Sequence, residues 1–124
     1  APPPRPVLPP IPLPPAMGEL VGGGWRLDFA ANRLAIEQQS GQTLRAIGQR
    51  LAETTTGRIL LLAQASGPQD ASTARRLSLD RAIAVKEALQ AGGLPGTRVD
   101  IRALGQLPAG LDAVDILPPG APRP

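Results

Sequence analysis

Few residues in this chain could do chemistry, and their spacing narrows the choice further. There is no His, no Cys and no Tyr, and only one Lys. Imidazole acid–base work, thiol nucleophiles and most metal-ligand sets are therefore absent. Asp80 and Glu87 share a helical stretch but stand seven residues apart, which makes them charges on a solvated face rather than a general acid and base. A Ser–Lys nucleophile would have to use Lys86, an unusual arrangement that is rejected here. Arg75-Arg76-Leu77-Ser78 matches a basophilic kinase consensus, but Ser78 falls inside a helix beside an inward-facing Leu. Gly22-Gly23-Gly24 is no phosphate loop, because no strand precedes it and no Lys-Ser/Thr follows. The chain reads as a binding or structural protein, with no catalytic residues, metal or cofactor.

The elements that would carry a binding surface make up one domain of 124 residues. Aromatics are 2% of the chain, so the core must come from Leu, Ile, Val and Ala around Trp25 and Phe29. Net charge is +3, and the Arg residues are scattered among ten acids. Without a basic stripe or stacking aromatics, nucleic acid is excluded as a partner. The longest apolar run, Ile59 to Ala63, is strand-sized, so no transmembrane segment is expected in this chain. The start at Ala1-Pro2 is what a mature exported protein with its signal peptide removed would show.

Residues 1–15 are dominated by Pro, which fixes φ and lacks an N–H, so polyproline II is expected. Such a segment serves as a stiff spacer or as a docking arm. Regularly placed Val7, Leu8, Ile11 and Leu13 favour the arm. With Pro9 and Pro10 they form a pre-ordered apolar ridge able to enter a partner's groove at small entropic cost. The expected organisation is 1–24 as Pro-rich arm and Gly hinge, 25–117 as the domain, and 118–124 as a Pro-rich tail.

Trp25-Arg26-Leu27-Asp28-Phe29 alternates as a half-buried strand. Leu44, Ile47 and Leu51 then fall three and four apart, which predicts a helix from about Ser40 to Thr54 with Ser40 as N-cap. Arg58 to Ala65 is a continuous apolar run, the mark of a central strand buried on both faces. Asp70 or Ser72 can cap a second helix that runs to about Ala91 and stops at Gly92. Thr97 to Ala103 alternates as a third strand, and Ala113 to Leu117 as a short fourth. The order β-α-β-α-β-β implies an α/β (α+β) sandwich, with two helices on one face of a small mixed sheet.

Within the second helix, Leu77-Ser78-Leu79-Asp80-Arg81-Ala82-Ile83-Ala84-Val85 with Leu89 reads Leu-Ser-x-x-Arg-Ala-x-x-Val-x-x-x-Leu. This pattern resembles the signature helix of OmpA-like periplasmic domains, which grip peptidoglycan in Gram-negative envelopes. Three further landmarks follow in the family's order. They are the strand ending in Phe29 with Ile36 beyond it, the apolar strand Ile59 to Ala63, and Val99-Asp100-Ile101-Arg102-Ala103-Leu104-Gly105. The resemblance covers about Trp25 to Ile116 and implies the same fold.

It also implies a ligand site, and the departures from it matter. In the family the central strand ends in Gly-His-Thr-Asp or a close variant. That Asp and the helix Arg hold the diaminopimelate of the peptide stem. Here Ala63-Gln64-Ala65-Ser66 occupies the tetrad, so Ser66 stands where the Asp should be, and Ala74 stands where an Asn usually precedes Leu-Ser. Arg81 remains. A lost charge-assisted bond would cost on the order of 2–3 kcal/mol, a weakening of roughly fiftyfold or more. Asp70 is the available substitute acid, and the alternative for Arg81 is a helix-surface residue paired with Asp80 or Glu87.

Two functions follow as expectations. One is a non-catalytic periplasmic accessory subunit, docked through residues 1–15 on a larger periplasmic or membrane-bound protein. A membrane-bound dehydrogenase such as a quinohaemoprotein alcohol dehydrogenase, which carries a small third subunit, suits by size and compartment. The other is a peptidoglycan-binding envelope anchor that uses Arg81 with Ser66 or Asp70, binding weakly.

Overall fold

The computed structural model describes residues 11–67 and 70–120. Five strands and two helices follow in the order β1 (Met17–Glu19), β2 (Trp25–Asp28), α1 (Gln38–Thr54), β3 (Ile59–Gln64), α2 (Ala71–Ala91), β4 (Val99–Gly105) and β5 (Ala113–Leu117), with a 3-10 turn at Gly96–Arg98 before β4. The sheet order is β1-β2-β5-β3-β4. Only β3 and β4 run parallel, joined by the α2 crossover that parallel neighbours require; the other neighbours are antiparallel.

The apolar run expected to be central is central. Every residue of β3 is buried, between β5 and β4. Its two faces serve different cores. Ile59, Leu61 and Ala63 join Leu44, Ile47 and Leu51 of α1 and Val85 and Leu89 of α2 in the main core. Leu60 and Leu62 join Leu117 in a smaller cluster on the other face, with Leu20 and Leu104 packed against it. The helices thus cover one face. On the second face Arg26 grips Asp115, its partner across β2 and β5, with Nε–Oδ1 2.6 Å and Nη2–Oδ2 3.0 Å.

The sheet extends further towards the N-terminus than the alternation at Trp25 indicates. Met17–Glu19 pairs with Leu27, Arg26 and Trp25 as an edge strand. The Gly22-Gly23-Gly24 stretch is its hairpin turn. All three glycines have positive φ (92, 111 and 104°), a region other residues enter only under strain. Ile11 and Leu13 pack against the domain's own core, while Val7, Leu8, Pro9 and Pro10 lie outside the described residues. Helix α1 starts two residues before Ser40, with Glu37 as N-cap; Ser40 is buried inside the first turn. Among the described residues no helix is long and apolar enough to cross a membrane.

The helices touch closely at Gly48. A Cβ there would land on the Leu89 carbonyl of α2, so the crossing admits only glycine. Gly48→Ala should lower stability by about 1–3 kcal/mol through overpacking, although Ala is the better helix former by roughly 1 kcal/mol. A denaturant titration in which Gly48→Ala is as stable as the parent would refute the close packing.

Candidate functional site

Arg81 lies on the buried stripe of α2 with Ala74, Ser78, Ala82, Val85 and Leu89. Its relative exposure is 0%, so it is not the helix-surface residue that pairing with Asp80 or Glu87 would have made it. A buried guanidinium must find acceptors for its N–H groups and an opposing charge. Nε donates to the Arg33 carbonyl at 2.8 Å and Nη2 to the Ala30 carbonyl at 3.1 Å, both in the loop between β2 and α1. Nη1 donates to the Gln64 carbonyl at the end of β3 at 3.0 Å. It also donates to Asp112 Oδ1 at 2.8 Å. The Phe29 ring closes one side, its centroid 4.9 Å from Cζ, within cation–π range.

Asp112 precedes β5. Because β5 runs antiparallel to β3, with Ala113 opposite Gln64, the start of β5 lies beside the end of β3. Ser66 donates to Asp112 from its backbone N–H at 3.0 Å and from its hydroxyl. The position that lacks the family's carboxylate is therefore bonded to a carboxylate from the connection before β5. Burial opposes ionisation of Asp112, but the Ser66 hydroxyl and amide together with Arg81 outweigh it. The carboxyl is held below its ordinary value. Its side chain keeps 14% exposure.

Of the residues singled out in the sequence, Arg81 and Ser66 meet through Asp112, and Asp70 does not join them. Asp70 caps α2 instead, accepting from the Thr73 N–H and hydroxyl at 2.8 Å each. That is the N-cap role its type and place before the helix call for. Asp112 escaped the sequence reading, although a signal existed. It is the only acid in the connection 106–112, and pairing the last strand with the central one would have put it next to Ser66.

The rest of the Leu-Ser-x-x-Arg-Ala motif is absorbed by packing. Ser78 is fully buried; its hydroxyl donates to the Arg75 carbonyl at 2.8 Å and accepts from the Gly105 N–H at 3.1 Å. It thereby ties α2 to the end of β4, where the ladder with β3 shifts register. The Asn32 amide fills the space beside Gly67, which draws the β2–α1 loop onto the β3–α2 connection. A cleft of about 220 Å³ opens nearby, lined by Phe29, Ala30 and Arg33 among others but not by Arg81, Ser66 or Asp112. Among the described residues no three acids converge to hold a metal ion.

Two helices packed on one face of a five-stranded mixed sheet define the class of protein. The sequence matches the OmpA family over residues 28–111, and the chain belongs to that family. Similar folds include the peptidoglycan-associated lipoprotein of Burkholderia pseudomallei, with 18% identity and TM-score 0.65 over 74% of this chain and 87% of that one. The OmpA-like domain of FopA1 from Francisella tularensis is similar too, with 14% identity and TM-score 0.62 over 85% and 75%. So is the C-terminal domain of MotB from Helicobacter pylori, with 15% identity and TM-score 0.61 over 72% and 78%. Among curated proteins, none matches this sequence.

Arg81→Leu should cost about 3–5 kcal/mol, because Asp112 and the loop carbonyls lose their partner. The pH dependence follows from the direction of the Asp112 shift. A carboxyl whose folded pKa is depressed adds stability above its unfolded value of about 3.9, and that stability is lost as pH falls through the lower folded pKa. Denaturant midpoints should therefore drop more steeply below about pH 4 in the parent than in Asp112→Asn. Parallel curves would show that the ionised Asp112 carboxylate, with its Ser66 and Arg81 partners, does not contribute.

Proposed function

We propose that this chain is a non-catalytic envelope domain of the OmpA family that works by protein contact, its Arg81 serving the fold in place of a ligand. The observation that carries this is the 0% exposure of Arg81, with Asp112 at 2.8 Å and three backbone carbonyls around it. A diaminopimelate carboxylate would have to displace Asp112 and enter between groups already in contact. It would meet a guanidinium whose charge is matched, so little would be gained from charge-assisted bonding. An envelope setting is supported by family membership and by the likeness to a peptidoglycan-associated lipoprotein. The finer assignment, a small subunit of a periplasmic dehydrogenase docked through the Pro-rich residues 1–15, rests on size, compartment and composition. Ile11 and Leu13 are engaged with the domain itself, so Val7 and Leu8 are the apolar anchors left to such an arm.

The anchor reading has one observation of its own: the Asp112 carboxylate, 14% exposed beside Ser66, could face a ligand ammonium. Sedimentation with purified peptidoglycan sacculi separates the two. The parent protein should stay in the supernatant. The double variant Ser66→Asp/Asp112→Ser, which returns the carboxylate to the end of β3, should pellet. A parent that pellets, and that Arg81→Lys releases, establishes the anchor instead. Deleting residues 1–10 tests the arm, since a co-purifying envelope partner should be lost while the melting temperature stays unchanged. A partner retained at full occupancy would make the segment a spacer.

A further inference from the structure

The sheet has one long open edge. β4 spans seven residues and pairs only with β3; among the described residues, nothing pairs with its outer side. The opposite edge strand, β1, has three residues, the short kind of edge that resists further pairing. A longer edge presents a row of N–H and C=O groups ready to accept another strand.

The side chains of β4 say which strand would fit. Val99, Ile101 and Ala103 register with Ile59, Leu61 and Ala63 and share the helix-covered face. Asp100 and Arg102 therefore share the other face. About Ile101 the strand is its own antiparallel complement. Two copies centred there put Asp100 of each opposite Arg102 of the other, twice, with Ile101 against Ile101. Opposite charges directly across a strand pair stabilise it, and like charges do the reverse. Arg102 is exposed. Asp100 already holds Arg58 on the same strand pair, and 46% of its side chain remains exposed.

The helix above the edge carries a second, independent feature. One flank of α2, with Ala84, Glu87 and Ala88, lines the groove shared with Gly41 and Arg45 of α1. The other flank lies over β4: Arg75 borders Gly105, while Lys86 and Gln90 border Gly96, just before the strand. Leu79 and Ile83, one turn apart between Arg75 and Lys86, fall on that flank. They are 36% and 40% exposed, two of the four large apolar residues exposed among the described residues. Neighbouring strands lie about 4.8 Å apart and packed helices about 8–10 Å. A helix that overlies both β3 and β4 would meet its twin across a β4–β4 junction at helix-packing distance.

We infer that a second copy of this chain docks on this edge. The dimer is isologous and two-fold, with β4 against β4 continuing the sheet and α2 against α2 through Leu79 and Ile83. Sedimentation equilibrium of the full chain tests it. The parent should dimerise reversibly. Arg102→Asp and Asp100→Arg should each weaken the dimer about tenfold or more by placing like charges across the junction. Mixed in equal amounts, the two variants should recover it, because the acidic edge of one then faces the basic edge of the other. Leu79→Glu/Ile83→Glu should weaken it as well, with thermal melts checking that each variant folds. A parent that stays monomeric at millimolar concentration overturns the inference, as does a dimer indifferent to both charge variants.

Discussion

A guanidinium with no exposed surface governs the architecture of this domain. Removing a charge from water costs several kcal/mol even after relaxation, and the cost is offset only by close, well-directed partners. Arg81 draws those partners from three places: the loop after β2, which supplies two carbonyls and the Phe29 ring, the end of β3, and the approach to β5. Segments up to 51 residues away in sequence are thereby tied to one side chain on α2. Ser78, one turn earlier, ties the same helix to the end of β4. The motif that identifies the family thus acts in this chain as a set of latches between α2 and every strand end nearby.

The sign of the charge opposite Arg81 decides what the site can do. An open arginine with a separate carboxylate can hold a zwitterion between them. Here the carboxylate touches the guanidinium and is itself bonded by Ser66, so the charges neutralise one another inside the protein. The acid facing Arg81 comes from the approach to β5, while Ser66 stands just beyond the end of β3. Arg58–Asp100 and Arg26–Asp115, on the other face of the sheet, are bidentate pairs, unlike the single Arg81–Asp112 contact. These pairs are partly exposed and contribute less to stability.

The two edges of the sheet are handled differently. At one, a three-residue strand and a glycine turn end the sheet, and Ile11 and Leu13 of the proline-rich segment pack onto the core beside it. At the other, β4 has no outer neighbour among the described residues, and the flank of α2 with Leu79 and Ile83 lies over it. Among the described residues, the unpaired backbone edge of β4 lies on α2's opposite flank from the α1 groove, apart from the Arg81 cluster.

Much of the fold was legible in the amino-acid order because it depends on local period and composition. The apolar run of β3, the three- and four-residue spacing in α1, the Asp70 cap of α2 and the alternation of β4 and β5 each arise from neighbours in sequence. β1 was not legible. Three residues between a proline-rich stretch and three glycines carry no period, and only pairing with β2 makes them a strand. Ser40 looked like a cap, yet packing put it inside the helix. Arg81 could be singled out by its motif, but its burial could not be read, because a buried arginine and a surface arginine look alike until their partners are placed. Sequence alone indicated the family, the order of elements from β2 onward and the candidate residues Arg81, Ser66 and Asp70, of which Asp70 turned out to cap α2. Tertiary structure decided that an acid 31 residues beyond Arg81 completes the site, because an ion pair depends on proximity in space, and antiparallel pairing of β5 with β3 created that proximity.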